Sequence, residues 1–230
     1  MLLVNDRLCH MARFPNYDST AIRFNGTSSL ATSPAKVKKW KNPEGGYLHA
    51  MHKHDWGDFH YRIIGKDKKG NLSLEGGWQN NRPMGLHDEN RMVENVFEEL
   101  DAPGEWYYSR QEQTLYYYPY EGENVEELCF ETPQLKHLVE IRGTIDNPVK
   151  NITIEGVELT GTVRTFMERY EPLLRSDWTV YRGAAVYLEG TENCKLHRCK
   201  LYNLGGNAVF FSGYNRGGEV TGSHLTEIGA

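Results

Sequence analysis

The stretch Asn207–Ala230, NAVFFSGYNRGGEVTGSHLTEIGA, carries the pattern that decides the fold. Its Val209-Phe-Phe-Ser-Gly213 has the form apolar-x-apolar-x-Gly, as do Val186-Tyr-Leu-Glu-Gly190 and Val139-Glu-Ile-Arg-Gly143. A second motif recurs as GGEVTGSHLTE from Gly217, NCKLHRCKLYN from Asn193 and NITIEGVELTG from Asn151. The last two copies are 23 residues apart in the first motif and 24 in the second; the first two copies of the second are 42 apart. Repetition near this period marks a solenoid, whose repeats bury their apolar faces only against one another.

Period-2 alternation then assigns each side chain to a face. One inward wall stacks Val139, Val186 and Val209, followed by Ile141, Leu188 and Phe211. Another stacks Ile154, Leu196 and Val220, followed by Leu159, Leu201 and Leu225. Glu158, Lys200 and His224 form an outward ladder, and Arg142 lies over Glu189 in a second. These are the stacks expected of parallel strands about 4.8 Å apart in a β-helix. Residues 163–182, VRTFMERYEPLLRSDWTVYR, break the period and read as an inserted loop, of the kind that often forms a solenoid's binding face.

The rest of the chain is not periodic. Residues 1–26 read as a strand segment leading from a truncated β-helix start. Residues 27–133 read as a small β-rich module, a β-sandwich or barrel-like unit with one helix over Arg91–Leu100. Glu105-Trp-Tyr-Tyr and Thr114-Leu-Tyr-Tyr-Tyr flank the polar turn SRQEQ and predict an aromatic hairpin.

Composition excludes several classes. With 39% hydrophobic and 25% charged residues the chain is globular, and a net charge of −5 speaks against nucleic-acid and anionic-membrane partners. The basic run KVKKWK (Lys36–Lys41) reads as a solvated loop. No window approaches the roughly 18 apolar residues of a membrane span, and MLLVNDRLCH lacks a signal peptide's apolar region. Cys9, Cys129, Cys194 and Cys199 have no metal or redox spacing and read as buried thiols.

The chain resembles bacterial right-handed parallel β-helix proteins, especially glycoside hydrolases acting on plant cell-wall glycans. The residues that carry the likeness are ARFPNYD (Ala12–Asp18), VENVFEELDAPGEWYY (Val93–Tyr108), TLYYYP (Thr114–Pro119), YEPLLRSDW (Tyr170–Trp178) and GGNAVFFSGYN (Gly205–Asn215). The resemblance implies an all-β protein: a parallel β-helix segment with a preceding or inserted module. It also implies secreted or periplasmic relatives that cleave glycosidic bonds with acids on later coils. The chain is therefore expected to be a fragment, prone to aggregation and without glycosidase turnover on its own.

Glycoside hydrolysis uses two carboxyl groups, about 5–5.5 Å apart for retention or 6.5–9.5 Å for inversion. The aligned repeats offer no such outward pair, since Glu158 aligns with Lys200 and His224, and Glu189 with Arg142 and Ser212. The inserted loop leaves Glu171 and Asp177 as catalytic candidates, or as solvated or ion-paired loop residues. Sugars are held by aromatic faces and planar polar groups, which nominates Trp178, Arg182, Asn207, Tyr214 and Asn215 as substrate-binding residues. Asn207 equally suits a solenoid corner, and Trp178 and Tyr214 equally suit covering the wall. In HAMHKHDWGDFH (His49–His60) the interleaved Trp56 and Phe59 favour aromatic packing over a metal site. No metal or cofactor is expected, and the expected partner is a polysaccharide or oligosaccharide. A non-catalytic carbohydrate-binding or adhesion module and a polysaccharide lyase are the competing functions.

Overall fold

The computed structural model describes residues 1–80, 85–173 and 179–229. The protein is all-β, with only short helical turns, and divides into two compact units. One comprises Leu2–Glu131 and Arg169–Val180 and is antiparallel; the other comprises Thr132–Glu168 and Tyr181–Ala230 and is built on parallel sheets.

In the parallel unit, three sheets repeat the same register. Val139–Arg142 pairs with Val186–Glu192, which pairs with Val209–Arg216, and the partners are Val139↔Val186↔Val209 and Ile141↔Leu188↔Phe211. Thr153–Glu155, Lys195–His197 and Glu219–Thr221 stack Ile154, Leu196 and Val220. Glu158–Thr160, Lys200–Leu204 and His224–Ile228 stack Leu159, Leu201 and Leu225. The middle rung is the core. Val186, Leu188, Leu196 and Leu201 have no exposed surface, because each has an apolar neighbour on both sides. Cys194 and Cys199 are buried with them as free thiols, whereas Cys129 is exposed, against the sequence expectation.

The corners between strands share a left-handed backbone. Asn151, Asn193 and Gly217 have φ of 59°, 55° and 61°, and Gly156, Arg198 and Gly222 have 68°, 53° and 61°. Gly161, Asn203 and Glu227 form the third set, at 71°, 51° and 48°. Gly and Asn adopt this region readily, and longer side chains do so against a steric cost. The Asn193 amide also donates to Asn151 Oδ1 at 3.4 Å, which ties one corner to the next. Gly143 and Gly190 serve another purpose: a Cβ on Gly190 would lie 2.2 Å from the Gly143 carbonyl carbon, so the rungs touch backbone to backbone there.

A β-bulge accounts for the one-residue difference between the 23- and 24-residue spacings. Glu189 pairs with Ser212, but Thr191 pairs with Asn215, so the later strand carries one extra residue between the two pairs.

The antiparallel unit holds an open five-stranded sheet, ordered Arg13–Phe14, Leu86–Glu94, Tyr47–His52, Asp58–Lys66, Leu72–Gly76. This sheet does not close into a barrel. The helix expected over Arg91–Leu100 is instead the end of a strand, then Asn95 at φ 55°, then a 3-10 turn at Phe97–Glu99. Pairing decided this: Val93 lies opposite Leu48 in the sheet and is fully buried, which an isolated propensity cannot register. The KVKKWK run is likewise not a free loop. Ser33 caps a short helix at Pro34–Val37, Trp40 is buried, and Glu99 accepts from both Lys36 Nζ (2.7 Å) and Trp40 Nε1 (2.6 Å). The aromatic hairpin forms as expected, with Trp106 opposite Tyr117.

Glu105 is a buried carboxylate in this unit. Its Oε2 accepts from the Asp101 and Ala102 amides at 3.2 Å, while Oε1 has no hydrogen-bond partner among the described residues. Burial pushes its pKa up from 4.5 to about 7. A carboxyl raised in the folded state binds its proton more tightly there than in the unfolded chain. Stability from this group is thus greatest below about 4.5 and is lost as pH rises through about 7. Thermal melts from pH 4.5 to 8 should show that Glu105→Gln removes this decline relative to wild type. Leu196→Ala should cost about 2–5 kcal/mol in the parallel unit, read by chemical denaturation.

Candidate functional site

The outward face of the parallel sheet gathers the chemistry. Alternation turns Val186 and Leu188 inward, so Tyr187 and Glu189 point outward, beside Glu140 and Arg142 on one neighbouring strand and Phe210 and Ser212 on the other. Tyr187 and Phe210 stack with centroids 6.0 Å apart and planes 25° apart. The Arg142 guanidinium lies 4.2 Å from the Tyr187 ring centroid. From there its Nε donates to Glu140 at 2.7 Å and its Nη1 to Glu189 at 2.9 Å. Tyr187 Oη donates to the same Glu189 oxygen at 3.2 Å. At the far strand Arg182 Nη1 donates to Ser212 Oγ at 3.4 Å. His137, whose Nδ1 lies 2.7 Å from the Ala184 carbonyl, completes the aromatic row against Tyr187.

This face carries groups that sugars use, a guanidinium and carboxylates beside stacked rings, with Tyr187 itself only 5% exposed beneath Arg142 and Phe210. Hydrogen bonding from Arg142 holds the Glu140 carboxyl below the usual range, so Glu140 is ionised near neutrality and cannot act as the proton donor.

The residues nominated from sequence separate. Arg182 is on this face. Asn215 is structural: its Nδ2 donates to the Ser212 carbonyl at 2.6 Å, and its Oδ1 accepts from Thr191 at 2.7 Å, which closes the bulge. Asn207 donates to the Gly183 carbonyl at 2.9 Å and the Tyr181 carbonyl at 3.3 Å, a corner role. Tyr214, on the bulge, donates to Glu192 at 2.7 Å, and Glu192 is ion-paired to Lys150. Glu171 is exposed in the other compact unit, paired across a two-residue ladder with Val180. Asp177 and Trp178 lie outside the described residues. Sequence reading passed over Glu140, Tyr187 and Phe210. The alternation that placed Val186 and Leu188 inward was the signal that could have found them.

The histidine run packs much as its aromatic neighbours suggest. His52 is buried and stacks on Trp56 at 5.5 Å, with His54 alongside. A second arrangement was not legible: buried His49 and His60 meet through their Nδ1 atoms at 2.6 Å, so one donates and the other accepts. His49 Nε2 reaches Glu94 at 3.0 Å, and His60 Nε2 lies 3.4 Å from Asp58. Burial opposes ionisation of Asp58, yet His60 outweighs it and holds that carboxyl below the usual range.

No protein-family profile matches the chain, and no curated protein matches it by sequence. Its fold does have a solved counterpart. A structure titled "Glycoside hydrolase" superposes with a TM-score of 0.69 at 19% identity, covering 96% of this chain. The chain spans 45% of that structure's length. This protein therefore has a glycoside-hydrolase-like all-β fold.

Removing the Asn215 side chain should separate scaffold from surface. Asn215→Ala should lower stability by about 1–3 kcal/mol through its unpaired partners, whereas Arg142→Ala, in an exposed ion pair, should cost no more than about 1 kcal/mol. Denaturant unfolding of both variants checks the contrast.

Proposed function

We propose that the parallel unit is a segment of right-handed parallel β-helix, and that the protein is carbohydrate-active, of glycoside-hydrolase type, binding a polysaccharide across the outward face of its parallel sheet. The observation that carries this reading is the Tyr187–Phe210 stack bridged by Arg142 to Glu140 and Glu189. An apolar sugar face suits the partly exposed Phe210 ring, which buried Tyr187 backs, and sugar hydroxyls suit a guanidinium flanked by carboxylates. The in-register repeat of three sheets supports the β-helix assignment, and the superposition on a structure titled as a glycoside hydrolase supports the carbohydrate class.

Binding rather than hydrolysis is the function proposed for these 230 residues. Glu140 is held ionised by Arg142, so it does not offer the proton that glycoside hydrolysis requires. The same observation favours a non-catalytic carbohydrate-binding role as the second reading.

Affinity electrophoresis in gels containing arabinoxylan, pectin or fucosylated polysaccharide tests the proposal. The chain should be retarded by at least one of them, and Phe210→Ala should weaken the retardation about tenfold, with Arg142→Ala acting in the same direction. Reducing-sugar release should stay at background. Unretarded migration in every gel would sink the binding reading, and measurable turnover would sink the non-catalytic one.

A further inference from the structure

The antiparallel unit contains a cleft of about 390 Å³ whose walls are Asn42, Glu44 and Arg62 on one side and Tyr107–Gln111 on the other. That volume falls in the range of small-molecule sites. We infer that this cleft is a second glycan site, taking a neutral sugar residue, separate from the outward face of the parallel unit. The inference rests on the carbohydrate reading above.

The cleft is built rather than incidental. Asn95 sits at its base, buried, with φ at 55°, and ties the walls together: its Nδ2 donates to the Gly45 carbonyl at 3.0 Å, and its Oδ1 accepts from the Tyr108 amide at 3.3 Å. A buried, bridging Asn in a left-handed conformation fixes both backbones at once. Tyr107 is held edge-on against Phe97 at 5.4 Å and tilted against Tyr116 at 6.1 Å, so its ring orientation is set before any ligand arrives.

The lining groups are uncommitted. Tyr108 is 40% exposed, and the side chains of Tyr108, Arg110, Asn42 and Gln111 make no hydrogen bond or ion pair among the described residues. Two amides, a guanidinium and a phenol therefore face solvent beside aromatic faces, the combination that meets a pyranose on its edge and its face.

Charge selects within the sugars. Arg62 is neutralised by its ion pair with Glu75, and exposed Arg110 is balanced by exposed Glu44. A uronate entering this cleft would meet the Glu44 carboxylate as well as Arg110, so its charge gains nothing net, whereas a neutral ring can take hydroxyl hydrogen bonds from Arg110 and give them to Glu44.

The test is amide chemical-shift mapping on the full chain, titrated with xylohexaose, cellohexaose and oligogalacturonate. A neutral oligosaccharide should shift the amides of Asn42, Asn95, Tyr108 and Arg110. Tyr108→Ala and Arg110→Ala should each weaken that response about tenfold, and Phe210→Ala should leave it unchanged. Both cleft side chains are exposed, so unaltered melting curves are expected for these variants. Neutral-sugar shifts confined to the parallel unit would overturn the cleft site and leave the proposed function standing. Cleft shifts with oligogalacturonate alone would overturn the neutral assignment. Absence of shifts anywhere with all three probes would overturn both readings.

Discussion

The parallel unit depends on one constraint: each strand must stack on its equivalent one rung away without slipping. Because side chains alternate with period two, a slip by one residue would turn Val186 and Leu188 outward and drive the Glu189 carboxylate into the core. The register is held by apolar stacking inside, by three sets of left-handed corners, and by close glycine contact where Gly143 meets Gly190. Fixing the inside fixes the outside as well. The same register sets Arg142 beside Glu189 and Tyr187 beside Phe210, so the proposed glycan face follows from how the core packs.

The β-bulge shows how scaffold and surface are coupled. One extra residue between Ser212 and Asn215 would break the ladder if nothing took up the freed polar groups. Asn215 takes them up, through Ser212, Thr191 and Leu188. The bulge also re-aims Tyr214 toward Glu192 and so removes it from the platform formed by Tyr187 and Phe210. A residue whose type suggested sugar contact thereby becomes part of the support.

The antiparallel unit follows a different economy. It has no repeat to fix it, and buried polar links hold elements that are distant in sequence: Glu99 with Lys36 and Trp40, Glu94 with His49, and Asn95 with Gly45 and Tyr108. Such links specify geometry because each buried polar group left without a partner costs more than a made bond contributes. They also shape the cleft, since Asn95 determines how far the Tyr108 strand sits from Gly45.

The sequence by itself determined the apolar stacks of the parallel unit, from Val139–Val186–Val209 to Leu159–Leu201–Leu225, because period-two alternation and a repeat near 23 residues align Val, Ile and Leu, while the pairing of Val149–Lys150 with Thr191–Glu192 and the bulge came only from the structure. It also determined the Trp106–Tyr117 hairpin from its aromatic strands and polar turn. Tertiary structure alone decided the rest. Arg91–Glu94 became strand because Leu48 waited opposite Val93, a pairing across 45 residues that local propensity does not encode. Asn215 became the bulge support because a nearby carbonyl needed a donor, and packing chose the corner among the roles the sequence had left to Asn207. Glu140 and Glu189 came to share one arginine because strands distant in sequence stack in space. Periodicity reports which face a side chain takes; only packing reports which partner it meets there.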